Sequence, residues 1–281
     1  MSGAQMAWMS GERLHLGHGP IDMIVGAEGP GRMAGLHRAA QAFEGLLQGL
    51  VDELPRLRAP LGPMPRGAVA RRMVLAVAPF EPQFITPMAA VAGAGAEEIL
   101  QALCDGPAIT RAYVNNGGDV AFHIEAGQDM RAAVAGGVAG FLRVSHDHPW
   151  RGVATSGQGG RSLSMGIAES VTVLSRGAAL ADAAATMIAN QVDLPDHPGI
   201  ARVPASEIAP DSDLEQRMVV RHVGPLTPNE VTQALDRGKD YAQALLRRGL
   251  IGGALLVLRG QMRIVGELLL VKDHEKEAVN A

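Results

Sequence analysis

The chain has one cysteine, Cys104, among its 281 residues. That excludes an intramolecular disulfide and fits a reducing compartment. Ile99, Leu100 and Leu103 beside it place Cys104 on the apolar side of a helix, as a small hydrophobe and not a nucleophile. Aromatic residues make up 3% and the formal charge is −4. There is little for bases to stack on and no basic footprint, so nucleic-acid binding is not expected. The apolar runs at 132–142 and 250–258 are too short to span a bilayer. The first nine residues lack a basic start followed by an apolar stretch, so no signal peptide and a cytoplasmic location are expected.

Other extremes are missing too. Apolar residues are 47% and charged residues 19%, which fits neither a disordered chain nor a charged filament. The length supplies ample material for a buried core. No repeat, charge block or linker divides the chain. A single domain over 1–281 with two interleaved lobes is expected, ending in a disordered tail over 271–281.

Residues 13–25 read as a hairpin around Gly17, Gly19 and Pro20. Residues 32–54 show apolar positions at helical spacing, followed by a proline loop and a short helix over 71–77. Residues 89–103 form a small-residue helix. Strands at 108–115 and 119–124 flank an Asn116-Gly117-Gly118 turn signal. Further strands are expected at 152–156, 162–167 and 170–175, then a helix over 178–190 and a strand over 218–223. Thr227-Pro228-Asn229-Glu230 opens a helix running to 248. Strands at 250–258 and 262–270 close the chain. The irregular alternation and the hairpins at both ends indicate mixed α+β architecture and not a doubly wound parallel sheet.

Three segments carry candidate chemistry. Asp182 and Thr186 stand four residues apart on one helix face, offering a carboxylate and a hydroxyl that suit magnesium or calcium. The alternative is a decorated helix whose threonine bonds back to the preceding turn. Asn116, Gly117, Gly118 and Asp119 form a turn that can hold the polar edge of a ligand, or be merely a tight hairpin. Thr155, Ser156 and Gly157 begin a Gly-rich loop with Arg161, readable as a phosphate cradle or as a flexible hairpin loop. It matches neither a Walker loop nor the dinucleotide fingerprint. The pairs His15/His18 and His146/His148 lack a third metal ligand nearby. No Gly-x-Ser-x-Gly elbow is present.

Taken in order, these segments resemble the ApbE superfamily, whose best-known members are magnesium-dependent FAD:protein FMN transferases. Val114-Asn115-Asn116-Gly117-Gly118-Asp119 is similar to its V-N-x-G-G-D segment, and Ala154-Thr155-Ser156-Gly157 to its A-T-S-G turn. Val171-Thr172-Val173 and the stretch from Ala181 to Thr186 look like its V-T-V and A-D-A-x-A-T. More narrowly, Thr86-Pro87-Met88 and the run from Arg161 to Val173 resemble the compact, uncharacterised ApbE-like branch of bacteria and archaea. The lysine of the family's G-G-x-A-K-G-Y stretch is absent from residues 89–95, and its H-x-x-D-P-x-T-G segment is replaced by the short 157–170 loop.

The resemblance implies an ApbE-like α+β fold, related to the T-fold, with mixed sheets and packed helices. It implies magnesium held by Asp182, Thr186 and the carbonyl of Ala92, with Asp182 as the catalytic residue. A phosphorylated, flavin-like cofactor such as FAD would lie against Asn116, Gly117, Gly118, Asp119, Thr155, Ser156, Gly157 and Arg161. FMN-transferase chemistry with a protein acceptor follows from it. A non-catalytic cofactor-binding module and a pterin ligand in tetrahydromethanopterin-linked one-carbon metabolism are the alternatives, and a homo-oligomer is left open.

Overall fold

The computed structural model describes residues 3–106, 108–133, 141–160, 162–268 and 270–271. In chain order its strands are β1 Gln5–Met9, β2 Arg13–His18, β3 Ile21–Glu28, β4 Arg111–Asn116, β5 Asp119–Ile124, β6 Asp129–Ala133 and β7 Phe141–Ser145. They continue with β8 Gly152–Ser156, β9 Ser170–Ser175, β10 Ile200–Pro204, β11 Met218–Val223, β12 Gly253–Leu258, β13 Gln261–Gly266 and β14 Leu270–Val271. The helices are α1 Arg32–Glu44, α2 Leu46–Asp52, α3 Leu54–Leu57, α4 Ala68–Val77, α5 Val91–Cys104, α6 Ala178–Gln191, α7 Ala205–Ile208 and α8 Pro228–Arg247.

Nine strands form one sheet in the order β1-β2-β3-β4-β5-β8-β9-β12-β13. Every pairing in it is antiparallel, so the architecture is α+β. Alternation along the strands gives the sheet two apolar faces at its centre. On one face Met23, Val25 and Val114 pack against α1 and α5, while Ala154, Val171, Val173 and Leu256 pack against α4, α6 and α8. On the other face Phe122, Ile124, Val153 and Leu174 meet the small sheet β14-β7-β6. The hairpin β10–β11 stands apart from both sheets.

Helix α6 is the hub. It is apolar nearly all round, with nine buried residues between Ala178 and Ala189, as a helix enclosed on most sides must be. Its first turn is reached only because two neighbours have no side chain. A methyl on Gly93 of α5 would collide with the carbonyl of Ala178, and one on Gly152 with the backbone at Ala178.

Most expected elements are present, with displaced ends. The Asn116-Gly117-Gly118 signal closes the β4–β5 hairpin, with positive φ at Gly117 and Gly118. Thr227 caps α8, accepting from the Glu230 N–H while the Glu230 carboxylate accepts from the Thr227 N–H.

Two expectations are corrected. The single helix over 32–54 breaks at Gly45 and again at Glu53, next to Pro55, because glycine gives up the most backbone freedom in a helix. Residues 162–167 form no strand. The Met165 N–H bonds the Asn190 side chain, the Ile167 N–H bonds the Val192 carbonyl, and the Ser164 carbonyl accepts from Val220. Those partners are a helix end and a hairpin, so no ladder forms. The tail expected over 271–281 lies, save Val271, outside the described residues. No described helix is long and apolar enough to cross a membrane.

Candidate functional site

The two-residue turn at Gly117–Gly118 makes Asn116 and Asp119 direct cross-strand partners. Both are buried, at 9% and 8% exposure, on the face that carries the helices. Gly118 donates its N–H to the Asn115 side chain and both glycines are exposed, so their part is to shape the turn.

The Asn116 amide donates to the Ala92 carbonyl at 3.0 Å, in the first turn of α5. The next N–H, of Gly93, donates to Asp182 Oδ2 at 3.1 Å. Asp119 Oδ1 accepts from the Thr155 N–H at 3.1 Å. One turn beyond Asp182 on α6, Thr186 donates to the Ser156 hydroxyl at 3.5 Å. Strand β4–β5, the start of α5, the end of β8 and one face of α6 thus converge on a single cluster of oxygens.

Its electrostatics are unusual. Burial pushes the Asp119 carboxyl up to about 7, partly offset by the Thr155 N–H. Asp182 is also raised well above the ordinary carboxylate range, first by desolvation and then by the nearby charge of Asp119. The Gly93 and Ala92 N–H groups pull it part of the way back. Among the described residues neither carboxylate has an Arg, Lys or His within ion-pair distance. Two adjacent acids, one buried and one half-buried, are costly without a cation when both are ionised.

That donor set fits a hard divalent cation. Two carboxylates, two hydroxyls and a backbone carbonyl are the ligand types magnesium takes. Among the described residues no group of three or more His, Cys, Asp or Glu side chains forms a metal cage. Neutral oxygens and water would have to complete the shell, as is usual for magnesium.

The expected site residues divide. Asp182, Thr186, Ser156, Asp119, Asn116 and the Ala92 carbonyl come together. Thr155 contributes its N–H, but its hydroxyl lies 2.9 Å from that of Thr172. Both hydroxyls share the sheet face of Val153 and Leu174, away from α6. Gly157 has φ +134 and its Cα faces the Ala168 and Glu169 carbonyls, a geometry reserved for glycine. The loop amides that follow are already used. Gln158 donates to the Ala168 carbonyl and Gly159 to that of Glu169, so they cannot cradle a phosphate as the Gly-rich pattern implies. Arg161 lies outside the described residues.

The pairing of Asp119 with Asp182 is new to the structure. Sixty-three positions separate them, and no local spacing links two such residues. Cys104 is half-buried, and desolvation lifts its thiol to about 11, which makes it inert. His146 bonds the Ile124 carbonyl and His148 the Ser145 hydroxyl.

The model of the family described as AbpE bacteria matches residues 6–264. The chain belongs to that family. It is ApbE-like, as the ordered motifs indicate. A UPF0280 protein of Methanopyrus kandleri is 40% identical over 166 residues, covering 54% of this chain and 61% of the relative. One from Methanothermobacter thermautotrophicus is 40% identical over 117 residues, covering 40% and 44%. The chain therefore aligns with about half the length of these relatives. The apo form of the flavinyl transferase ApbE of Pseudomonas stutzeri superposes with a TM-score of 0.47 at 13% identity, covering 93% of both chains.

Proposed function

We propose that this AbpE-family protein is a magnesium-dependent, transferase-type protein acting on a phosphorylated, flavin-like cofactor of the FAD class. One observation carries it: the buried Asp119 and the part-buried Asp182 are held by neighbouring backbone N–H groups close enough for the charge of one to act on the other, and among the described residues no Arg, Lys or His lies within ion-pair distance of either. Family membership over residues 6–264 and the A-D-A-x-A-T resemblance favour the same chemistry.

Asp182 and Asp119 would hold the cation, with the Thr186 and Ser156 hydroxyls and the Ala92 carbonyl as neutral donors. A magnesium ion held there supplies charge neutralisation at a diphosphate and at its leaving oxygen. The protein's own work is positional. Asn116 fixes the Ala92 carbonyl, the first turn of α5 orients Asp182, and Thr155 orients Asp119. The alanines flanking Asp182 are buried and keep α6 close to its neighbours. A threonine hydroxyl of a protein acceptor is the group to which FMN would pass.

Calorimetric titration with FAD tests this, with and without magnesium. Binding should require magnesium and weaken at least about a hundredfold in Asp182→Ala, the loss of a main charged ligand. AMP released over long incubation marks transfer chemistry, whereas binding without AMP marks a cofactor-binding module. If FAD gives the same result with magnesium and with chelator, the proposal fails.

A further inference from the structure

A second site lies where the large sheet splits. Strands β5 and β8 pair only at Val120↔Val153 and Ala121↔Gly152. One further bond, from the Phe122 N–H to the Arg151 carbonyl, joins them, and beyond it a cavity of about 350 Å³ opens between β5, the C-terminal half of α5 and the start of α6. Arg72, Glu97, His123, Arg151 and Arg176 line it, and none of the carboxylate cluster does.

Its charge is opposite to that of the cluster. Arg72 is balanced by Glu97 at 3.5 Å and Glu98 at 3.1 Å. The other two guanidinium groups have no carboxylate partner among the described residues. Arg151 is half-buried, and among the described residues its guanidinium donates only to the carbonyls of His146, His148 and Trp150. Desolvation lowers its pKa, in keeping with a cation that lacks a counter-ion. Arg176 lies over the Trp150 ring, 5.8 Å from its centroid. The stacked face is thereby occupied, while the N–H edge has no hydrogen-bond partner among the described residues. A further carboxylate of the chain would cancel this charge, and the only one lining the cavity, Glu97, is engaged by Arg72 and the Ala179 N–H.

We infer that this cavity is an anion site that takes the phosphate group of a small phosphorylated molecule, held by Arg151 and Arg176. Two guanidinium groups contributed to one cavity by different segments suit a tetrahedral anion with several acceptor oxygens better than one planar carboxylate. The cavity exceeds a bare phosphate in volume, leaving room for a small organic part along Phe122 and Leu100.

Equilibrium dialysis with radiolabelled inorganic phosphate, in chelator and at fixed ionic strength, reads the site directly. One phosphate per chain should be retained saturably, and Arg176→Gln should weaken it by roughly tenfold, as for loss of one charge-assisted contact. Arg176→Lys should recover part of the loss. The chain has two tryptophans, so in Trp8→Phe the emission of Trp150 should change with the same midpoint. Asp182→Asn should bind phosphate as the parent does, which separates this site from the carboxylate cluster. No saturable retention at millimolar phosphate overturns the inference. So does retention that survives Arg176→Gln, or that is lost in Asp182→Asn instead.

Discussion

Helices α5 and α6 exchange carboxylates at their first turns. Asp182 of α6 accepts from the Gly93 N–H of α5, and Glu97 of α5 accepts from the Ala179 N–H of α6 at 2.9 Å. Backbone geometry treats the two alike, since each acid satisfies an orphan N–H and meets the positive end of a helix dipole. What differs is company. Glu97 has Arg72 beside it, whereas Asp182 has Asp119. The same contact is a clamp with a counter-ion at Glu97, and at Asp182 it leaves a carboxylate pair without one. A hydrogen bond to the backbone does not distinguish the two roles; the sign of the nearest charge does.

The comparison breaks most severely at Gly93, which both contacts depend on. A Cβ there meets the Ala178 backbone, which cannot give way as a flexible side chain can. Gly93→Ala should cost about 3 kcal/mol, the upper end of overpacking penalties, measured as a fall in the urea midpoint. If stability is unchanged, the helices are not held at this distance.

The second test is pH. Asp119 titrates near 7 in the folded chain, above its unfolded value. Such a group favours folding below the ordinary carboxylate range, and its contribution is lost as pH rises through about 7. Metal-free protein should therefore lose on the order of 2 kcal/mol between pH 4 and 8, followed by melting temperature in chelator. Magnesium should flatten the loss by favouring the ionised pair. Asp119→Asn should reduce it without magnesium, leaving the part that burial of Asp182 contributes.

The two acids should then respond with opposite signs to the same amide substitution. In chelator at pH 8, Asp182→Asn removes a like-charge contact while keeping an acceptor for Gly93, and should raise stability by about 1 kcal/mol. Glu97→Gln keeps the acceptor for Ala179 but loses Arg72. It should lower stability by less than about 1 kcal/mol, as is usual for a partly exposed pair. Equal signs for the two variants would erase the distinction drawn here.

Sequence patterns made part of this visible. The Gly117–Gly118 turn, the Thr227 cap and the Asp182/Thr186 spacing are local signals, and each element they mark is in place. The ordered motifs pointed to the ApbE-like family through the same residues. What sequence could not carry was long-range. The Asp119–Asp182 approach is made by sheet order and by two glycines that let α6 close in. The helix over 32–54 misled because its periodicity continues through Gly45, where the backbone turns. The Gly-rich loop after Ser156 misled for another reason. Composition shows that amides are free of side chains, not that they are free of partners, and here Ala168 and Glu169 take them.

Strand alternation sets the smallest effect. Ser156 and Ala154 face α6, while Thr155 faces the opposite side and meets Thr172. Thr155→Val therefore removes a hydroxyl pair worth about 1 kcal/mol of stability but leaves the N–H that holds Asp119. Magnesium-dependent FAD affinity should stay within about twofold, a difference of under half a kcal/mol. Ser156→Ala, one residue along, should weaken it several-fold because its oxygen lies beside Thr186. Calorimetry on the pair decides which face of β8 the cofactor sees. A larger loss in the valine variant would put the ligand on the far side of the sheet and detach it from the two carboxylates.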